Sequence, residues 1–276
     1  MARTEVAYLG PIGTYSHLVA EKRFGKGCKL VPFPTISDVC SFVSKKPSRR
    51  GIVPIENSSG GAIYETVDIL MANKPRIHIA EELSLDVKLA LLGRKHEKIE
   101  NLYSHFAPLE HCAGWVKHHL PTARKHVVES TALAARRAAD EENAAALGSR
   151  KLATLYGLSI LQYPVEADVP NITIFLAIAG QKLSLSGPKK TTIVAKLPNK
   201  PGSLCTFLEA FRNENVNLSR ILSRPIRGCP REYAFMVDIQ GGLGEKKVLK
   251  ALSVAGKACV ELRTIGCYPS RRAYRS

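Results

Sequence analysis

The stretch VPNITIFLAI, residues 169–178, has the composition of a buried β-strand and carries a single hydroxyl group, that of Thr173. Its β-branched and aromatic residues favour a strand, and the Pro170-Asn171 pair before them is typical of a turn that leads into one. Threonine is itself a common strand residue. Thr173 is therefore either an ordinary member of this strand or a residue that takes part in the chemistry of the protein.

Strands and helices alternate along residues 1–180, and the strand at 171–178 closes the series. This alternation indicates an α/β domain with largely parallel sheets. Residues 181–190, QKLSLSGPKK, are polar and lack periodicity, which predicts a linker. Residues 191–276 then follow the order βαββαβ, the ferredoxin-like pattern. In the first domain we expect one continuous helix over 105–119 and strands at 5–9, 29–33, 51–55, 76–80, 87–92, 125–128, 144–147 and 171–178.

The formal net charge of +16 is unevenly distributed, with +4 on residues 1–180 and +12 on residues 181–276. Neither a nucleic-acid-binding motif nor an aromatic stacking platform accompanies this charge, so a solvated basic surface is favoured and nucleic-acid binding is not expected. No apolar run reaches the ~18 residues that cross a bilayer. The first residues are too short and polar for a signal peptide. We therefore expect a cytoplasmic protein that does not bind membranes.

The seven cysteines form no C-x-x-C pair, and the eight histidines form no H-E-x-x-H motif. An odd number of cysteines without paired spacing favours reduced, mostly buried thiols over a disulfide framework. No spacing of cysteine, histidine or carboxylate fits a known metal-ligand pattern. We expect no metal site.

Hydroxyl, amide and glycine residues concentrate at three strand-to-helix junctions, 10–16, 56–61 and 129–131. Ligands of open α/β sheets bind beyond the carboxyl ends of the strands, where helix N-termini favour carboxylates and phosphates. Three such junctions in one domain indicate a small polyanionic ligand. None is a P-loop or a G-x-G-x-x-G motif, and no nucleophile–base pair is apparent. The pattern suits a reaction that depends on positioning and charge stabilisation.

Several segments, taken together and in order, resemble the prephenate dehydratase family. They are YLGPIGTYSH (8–17), GIVPIENSSGGAIYETVDIL (51–70), ESTALAARRAA (129–139), AAALGSRKLATLYGL (144–158) and NITIF (171–175). The C-terminal segments are similar to the phenylalanine-binding ACT domain that follows the catalytic domain in that family. They are NKPGSLCTFLEAFRNENVNLSRILSRP (199–225), EYAFMVDIQG (232–241) and IGCYP (265–269).

The resemblance implies a two-lobed, periplasmic-binding-protein-like catalytic domain followed by a ferredoxin-like ACT domain. Prephenate would bind between the lobes and lose carbon dioxide and water to give phenylpyruvate. No cofactor would be needed, because aromatisation drives the fragmentation. L-Phenylalanine would bind at paired ACT domains and inhibit the enzyme, which implies a homodimer or a dimer of dimers.

The resemblance also assigns roles to individual residues. Thr173 matches the threonine of the family's N-x-T-R-F motif and is the expected catalytic residue, hydrogen-bonded to the departing hydroxyl. Helix capping alone also explains several of the hydroxyl residues. The expected substrate-binding residues are Thr14, Ser16, Asn57, Ser58, Ser104, His111, Ser130, Thr131 and Phe175. The expected phenylalanine-binding residues are Pro201, Gly202, Ser203, Leu204, Asn217, Ser223, Arg224 and Pro225.

Three positions depart from the family's pattern. Ile174 stands where the motif has arginine, His111 where a pocket glutamine is expected, and Leu222 where the second effector motif begins with glutamate. Isoleucine cannot replace a bidentate guanidinium. Two alternatives therefore stay open beside prephenate dehydratase. One is arogenate dehydratase, and the other is a weakly active relative that senses phenylalanine.

Overall fold

The computed structural model describes residues 3–25, 27–72, 74–166, 170–187, 189–226, 229, 231–271 and 273–276. Position 169, at the start of the strand-forming stretch, lies outside these ranges. No helix within them is long and apolar enough to cross a membrane.

A seven-stranded sheet forms the first lobe of the catalytic domain. Its strand order is β16-β5-β11-β3-β1-β2, and a short β4 pairs with β3. The strands are β1 (Thr4–Leu9), β2 (Cys28–Phe33), β3 (Arg50–Asn57), β4 (Gly61–Ala62), β5 (His78–Asp86), β11 (Ile172–Ala179) and β16 (Tyr274–Arg275). The accompanying helices are α1 (Tyr15–Phe24), α2 (Ile36–Ser44) and α3 (Tyr64–Ala72).

A five-stranded sheet forms the second lobe, with the order β10-β6-β9-β7-β8. Its strands are β6 (Leu89–Gly93), β7 (Asn101–Ser104), β8 (Arg124–Val127), β9 (Ala144–Gly148) and β10 (Ser159–Val165). The helices of this lobe are α4 (Phe106–His111), α5 (Ala113–His119), α6 (Thr131–Asp140) and α7 (Lys151–Tyr156).

The prediction of an α/β fold is confirmed, but the expected largely parallel sheets are wrong. The strand β11 lies between β3 and β5 and runs antiparallel to both, and β6 runs antiparallel to β9 and β10. The expected helix over 105–119 is broken at Cys112 into α4 and α5. The strands β4, β7, β10 and β16 were not predicted.

The C-terminal region has the predicted βαββαβ order. It comprises β12 (Lys189–Lys196), α8 (Ser203–Asn213), β13 (Leu218–Pro225), β14 (Tyr233–Gln240), α9 (Lys246–Lys257) and β15 (Glu261–Pro269), with the sheet order β13-β14-β12-β15. The first strand begins at Lys189, within the predicted linker. After β15 the chain returns to the first lobe, where β16 pairs with the edge of β5.

The two faces of the first sheet contact different parts of the molecule. On β11, Phe175 and Ala177 point into a core that includes α1 and the second lobe. Leu176 and Ile178 point into the other core, which includes α2, α3 and the sheet of the C-terminal domain. Residues from that domain in the second core are Val194, Met236, Ile265 and Tyr268. The first sheet therefore lies between the second lobe and the C-terminal domain.

The expectation that most thiols are buried is wrong. Cys40 and Cys112 are buried and Cys205 is exposed, while the other four are intermediate. Among the residues described, no group of three or more His, Cys, Asp or Glu is arranged to hold a metal ion.

Candidate active site

Thr173 lies directly opposite Asn57 in the pairing of β11 with β3. The amide nitrogen Nδ2 of Asn57 donates a hydrogen bond to Thr173 Oγ1 at 2.9 Å. It also donates to Oδ1 of Asn171, a residue that is only 6% exposed, at 3.1 Å. Asn57 thus connects the end of one strand to the beginning of its neighbour.

The orientation of this amide is fixed from its other side as well. Asn57 Oδ1 accepts hydrogen bonds from the backbone N–H groups of Ser59 and Gly60, both at 3.0 Å. Because Thr173 Oγ1 accepts from Asn57, the proton of its hydroxyl points elsewhere. No group in the described part of the chain accepts that proton. A bound ligand can therefore take the hydrogen bond from Thr173.

A β-bulge at Ile55 sets the directions of the side chains around this pair. Phe175 lies opposite Pro54 and Ile174 lies opposite Glu56, so Ile55 is an extra residue in β3. A bulge of this kind redirects the side chains beyond it. Asn57 consequently faces the same side as Thr173, while Glu56 faces the C-terminal domain. The Glu56 carboxylate is therefore directed away from the face on which Thr173 lies.

Ser58 uses its hydroxyl group within the protein. Its Oγ donates to the carbonyl of Pro170 at 2.8 Å and accepts from the N–H of Ile172 at 3.0 Å. These bonds hold the segment before β11 against the end of β3. Ser58 therefore supports the position of Thr173, and in this conformation its hydroxyl is fully engaged.

The junction at residues 10–16 caps α1 and contacts the second lobe. Thr14 is the N-cap, and its Oγ1 accepts from the N–H of His17 at 3.4 Å and donates to the carbonyl of Pro11 at 2.9 Å. Ser16 in the first helical turn is 6% exposed. Ser149, which follows β9, donates from Oγ to the carbonyl of Gly13 at 2.9 Å. This bond joins the two lobes.

The second lobe places further hydroxyl groups at the ends of its strands. Ser130 is the N-cap of α6, where its Oγ accepts from the N–H of Leu133 at 3.1 Å, and Thr131 follows it at 7% exposure. Ser104 ends β7, is fully buried and donates to the carbonyl of His105 at 2.8 Å. The hydroxyl groups of Ser130 and Ser104 thus have hydrogen bonds within the protein, and substrate binding by these three residues stays a prediction.

A second contact between the lobes involves His111. Its Nδ1 lies 3.1 Å from Oγ of Ser59, across from the turn that follows Asn57. His111 is 2% exposed. The residue that replaces the expected glutamine thus lies one turn away from the Asn57–Thr173 pair.

Phe175 and Ile174 do not line the site in this conformation. Phe175 is 1% exposed and belongs to the core between the lobes, so its ring has no open surface toward a ligand. Ile174 packs against the opposite core, the one that includes the C-terminal sheet. Leu222 packs against that same core from β13. Two of the three departures from the family's pattern therefore meet at the contact between domains.

The first set of expected effector residues surrounds a small cavity. Ser203 and Leu204, at the start of α8, line a cavity of about 150 Å³ together with Tyr233 and Phe235. Gly202 precedes them with φ +80°, a backbone conformation that favours glycine. Pro201 lies in the same turn. Pro225 pairs with Tyr233, which brings the end of β13 beside this cavity.

The second set is divided between two surfaces. Asn217 and Ser223 are exposed. Arg224 instead points at the catalytic domain, where Nε and Nη2 bind the carboxylate of Asp68 at 2.6 and 2.7 Å. Its guanidinium also lies over the ring of Tyr64, 4.5 Å from the ring centroid. Arg224 therefore joins the two domains in this conformation.

Sequence reasoning missed four residues that shape the site: Asn171, Ser59, Ser149 and Arg220. Asn171 is the first residue of the N-x-T motif and was placed in the strand 171–178, but no role in the site was assigned to it. Ser59 and Ser149 act through contacts between segments that are far apart in sequence, for which no local pattern gives a signal. Arg220 lies in an ordinary strand sequence, and its role depends on residues of three other strands.

Family models identify the two parts of the chain. The model described as prephenate dehydratase matches residues 6–183, and the model described as the ACT domain matches residues 191–256. A bifunctional chorismate mutase/prephenate dehydratase of Aquifex aeolicus is 35% identical over 269 residues. That match covers 97% of this chain and 74% of the relative.

Solved structures agree with this assignment. The prephenate dehydratase of Arthrobacter aurescens, crystallised in complex with L-Phe, superposes with a TM-score of 0.85 at 28% identity, covering 96% of this chain and 90% of that one. GqqA, described as a novel type of quorum quenching acylase, superposes with a TM-score of 0.86 at 23% identity, covering 97% and 98%. At that identity the second match shows the fold alone.

Three features define the class of protein. They are a two-lobed α/β domain, the hydrogen bond of Asn57 to Thr173 between the lobes, and a ferredoxin-like domain that follows. The chain belongs to the prephenate dehydratase family and carries an ACT domain after the catalytic domain.

Proposed function

We propose that this protein converts prephenate to phenylpyruvate and that Thr173 is its catalytic residue. The observation that carries this proposal is the Asn57–Thr173 hydrogen bond of 2.9 Å, which orients the threonine hydroxyl and leaves its proton for the substrate. The membership of the chain in the prephenate dehydratase family supports the choice of substrate.

The reaction requires one broken C–C bond, one broken C–O bond and one proton. Electrons of the bond to the ring carboxylate move into the ring as carbon dioxide leaves, and the opposite C–O bond breaks with its electron pair on oxygen. That oxygen leaves as water once it has gained a proton. A threonine hydroxyl is a weak acid, so its main contribution is a hydrogen bond to the oxygen as negative charge develops there.

The substrate's two carboxylates need favourable surroundings without a metal. The N-termini of α1 and α6, capped by Thr14 and Ser130, supply backbone N–H groups and the positive ends of two helix dipoles. We assign substrate binding to these termini, to Ser16 and Thr131 beside them, and to His111. In this assignment Ser58 and Ser104 position neighbouring segments.

The decisive assay is phenylpyruvate formation by purified protein. We expect turnover of prephenate, with arogenate assayed in parallel because its alanyl side chain in place of the pyruvyl one tests selectivity. Ile174, one of two residues that motivated the arogenate alternative, faces away from Thr173. Folded protein that turns over arogenate alone, or neither compound, would refute the proposal.

We further propose that L-phenylalanine binds at the cavity bounded by Ser203, Leu204 and Tyr233 and inhibits the enzyme. The L-Phe complex of the Arthrobacter relative supports this ligand. The cavity of about 150 Å³ completes a site when a second copy adds its own surface. Strand β13 is an edge strand and exposes Ile221 at 44%, which suits pairing with another copy. We therefore propose a homodimer or a dimer of dimers. We also propose that the protein is cytoplasmic, that its catalytic domain ends near residue 180 and that its ACT domain begins near residue 191.

The effector proposal is tested by calorimetry and light scattering. L-Phenylalanine should bind with one site per chain, and Leu204→Asp should weaken binding without loss of the fold. Light scattering should give a mass of two or four chains. A monomer that still binds and responds to L-phenylalanine would contradict the proposed shared site.

A further inference from the structure

The side chain of Arg220, on β13 of the ACT domain, reaches across the domain boundary. Its Nε donates to Glu56 Oε2 at 2.7 Å and its Nη1 donates to Asp238 Oδ2 at 2.5 Å. The Arg220 side chain is 7% exposed. One guanidinium therefore binds a carboxylate of the catalytic domain and a carboxylate of the ACT domain at the same time.

The ACT side of this contact is rigidly held. Asp238 is 1% exposed, and its Oδ1 accepts from Thr192 Oγ1 at 2.7 Å. Thr192 in turn contacts the hydroxyl of Tyr268 at 2.5 Å. Burial lowers the pKa of Arg220, but the nearby carboxylates of Asp238, Glu56 and Glu82 more than offset this effect, so the guanidinium stays charged.

The catalytic side leads directly to the site. Glu56 precedes Asn57 in the chain, and the bulge at Ile55 points these two neighbours to opposite faces of the sheet. A shift of the Glu56 side chain moves the peptide that carries Asn57, and Asn57 orients the Thr173 hydroxyl. The interdomain ion pair and the hydrogen bond to Thr173 thus involve two consecutive residues, Glu56 and Asn57.

We propose that Arg220 is a positioning residue for catalysis, which fixes Glu56 and through it the Asn57–Thr173 pair. This inference deepens the proposed function and rests on it. It gives the ACT domain a direct physical connection to the catalytic residue, on the same strand that ends in the expected effector segment 222–225. If the Arg220–Glu56 ion pair were only structural, it would stabilise the contact between the domains, and its loss would leave the geometry of the Asn57–Thr173 pair unchanged.

The other ion pairs nearby do not duplicate this connection. Glu82 is held by Lys190 Nζ at 2.6 Å and by Ser270 Oγ at 3.0 Å, and it lies 3.8 Å from Arg220 Nη2. Loss of Arg220 therefore leaves Glu82 with two partners but removes the only arginine bound to Glu56 in the described part of the chain. The predicted effect acts through Glu56.

The test compares Arg220→Met and Arg220→Lys with Arg263→Met. Arg263 also joins the ACT sheet to the catalytic domain, since its Nη2 donates to the carbonyl of Met71 at 2.7 Å, but within the described residues its hydrogen bonds go to α3 and not to β3 or β11. For Arg220→Met we expect kcat on prephenate to fall about 10- to 100-fold, because small misplacements of a catalytic group have effects of that size. KM should change less than about threefold. Arg263→Met should keep the wild-type kcat.

Arg220→Lys decides the question if Arg220→Met does not fold. Lysine keeps the charge, but its ammonium cannot reproduce the planar fork that binds two carboxylates. We expect a stable protein with an intermediate kcat. A wild-type kcat in folded Arg220→Lys and Arg220→Met, or a loss seen equally in Arg263→Met, would overturn the inference.

A double-mutant cycle identifies the route. If Arg220 acts through Glu56, Glu56→Gln should lower kcat, and Arg220→Met/Glu56→Gln should be no worse than the poorer single variant. Additive losses would overturn the inference. Hydrogen exchange of segment 55–60 gives a readout without substrate and should rise in Arg220→Met but not in Arg263→Met. An inactive wild-type enzyme with this exchange pattern would refute only the proposed function, and unchanged exchange in an active enzyme would refute only the role of Arg220.

Discussion

The threonine hydroxyl at position 173 is oriented by one amide, and its chemistry follows from that bond. We predict that Thr173→Ala lowers kcat by about 10²- to 10⁴-fold, the range for removal of a group that assists proton transfer. Thr173→Ser keeps the hydroxyl and should retain more activity than Thr173→Ala. Steady-state assays on prephenate, with circular dichroism as the control for folding, measure this difference. Equal activity in wild type and Thr173→Ala would reduce Thr173 to a strand residue.

Ile174 contributes to the contact between domains, because it packs in the same core as Leu222. We predict that Ile174→Arg lowers the free energy of unfolding by about 1–3 kcal/mol, because the longer side chain must fit into the core at the domain contact. Glu56 lies directly opposite, but its carboxylate is already bound by Arg220. Adding Leu222→Glu should recover part of that loss, because a carboxylate then lies within the same core. Urea unfolding of the two single variants and the double variant measures the coupling. If Ile174→Arg instead raised kcat at unchanged stability, its side chain would have to reach the cleft.

Individual residues of the candidate site could be assigned from the sequence more readily than the directions of their side chains. Thr173 and Asn57 were assigned from a short motif, because backbone pairing between β3 and β11 keeps both near the strand ends. Alternation along β11 puts Ile174 on the face opposite Thr173 and Phe175, but what that face contacts depends on the distant ACT sheet and was not predictable from the local sequence. The family's arginine suggested a cleft residue at this position, and the structure places the side chain against the ACT domain instead.

The bulge in β3 points two neighbouring residues to opposite faces of the first sheet, Glu56 toward the ACT domain and Asn57 toward Thr173. Without the bulge, strict alternation along β3 would place Asn57 on the same face as Val53 and Ile55, toward the second core. The bulge lets Ile55 and Glu56 both face that core, so that Asn57 can meet Thr173. A single irregularity thereby connects the ACT contact with the Asn57–Thr173 pair.

The stability of the fold depends on the protonation state of His17, which lies in the first turn of α1. His17 is 7% exposed, and its Nδ1 accepts a hydrogen bond from the N–H of Gly13 at 3.1 Å. Burial lowers the pKa of His17, with a further lowering by Lys151. A protonated ring cannot accept this bond, so folding favours the neutral form.

The sign of the pH dependence follows from linkage. Between the lowered folded pKa and the ordinary value near 6.5, the unfolded chain binds more protons, so stability falls as the pH drops through this window. We predict that His17→Gln reduces the slope of the unfolding free energy against pH, below pH 6.5, by at most about 1.4 kcal/mol per pH unit. Urea unfolding at pH 5, 6 and 7 measures it. An unchanged slope would mean that His17 titrates alike in both states.

The βαββαβ order of the ACT domain was predicted correctly, because each of its elements has its own local periodicity. The catalytic domain was harder to predict. The helix expected over 105–119 is interrupted at Cys112 without a glycine or proline there, and β10 carries alternating exposure that was not recognised. Strand direction also depends on pairing partners, so the antiparallel position of β11 could not be read from its own residues.

In the whole molecule, the segment that follows the last strand of the ACT domain returns to the catalytic domain and adds a strand to its first sheet. After β15 the chain crosses back, and Tyr274 packs against the core between the lobes while β16 pairs with β5. Arg271 Nε donates to Glu81 Oε2 at 2.9 Å, and Arg23 binds the same carboxylate from α1. Because β5 lies next to β11, this edge supports the strand that carries Thr173.

We predict that removal of residues 270–276 destabilises the protein by about 2–4 kcal/mol, from lost apolar burial and a weakened buried ion pair. Two variants divide the effect: Tyr274→Ala removes packing, and Arg271→Ala removes one partner of Glu81, which keeps Arg23. Urea unfolding measures each loss, and Arg275→Ala, at an exposed position of the same strand, is the control.

Hydrogen exchange locates the consequence of this truncation. If the tail acts as a strand of the catalytic sheet, exchange should rise along residues 78–86 of β5 and only weakly in the ACT helices α8 and α9. If it were only a terminal extension of the ACT domain, the order of these changes would be reversed. The first outcome implies that the two domains fold as one cooperative unit, because β16, which follows the ACT strands, pairs with β5 in the same sheet as β1.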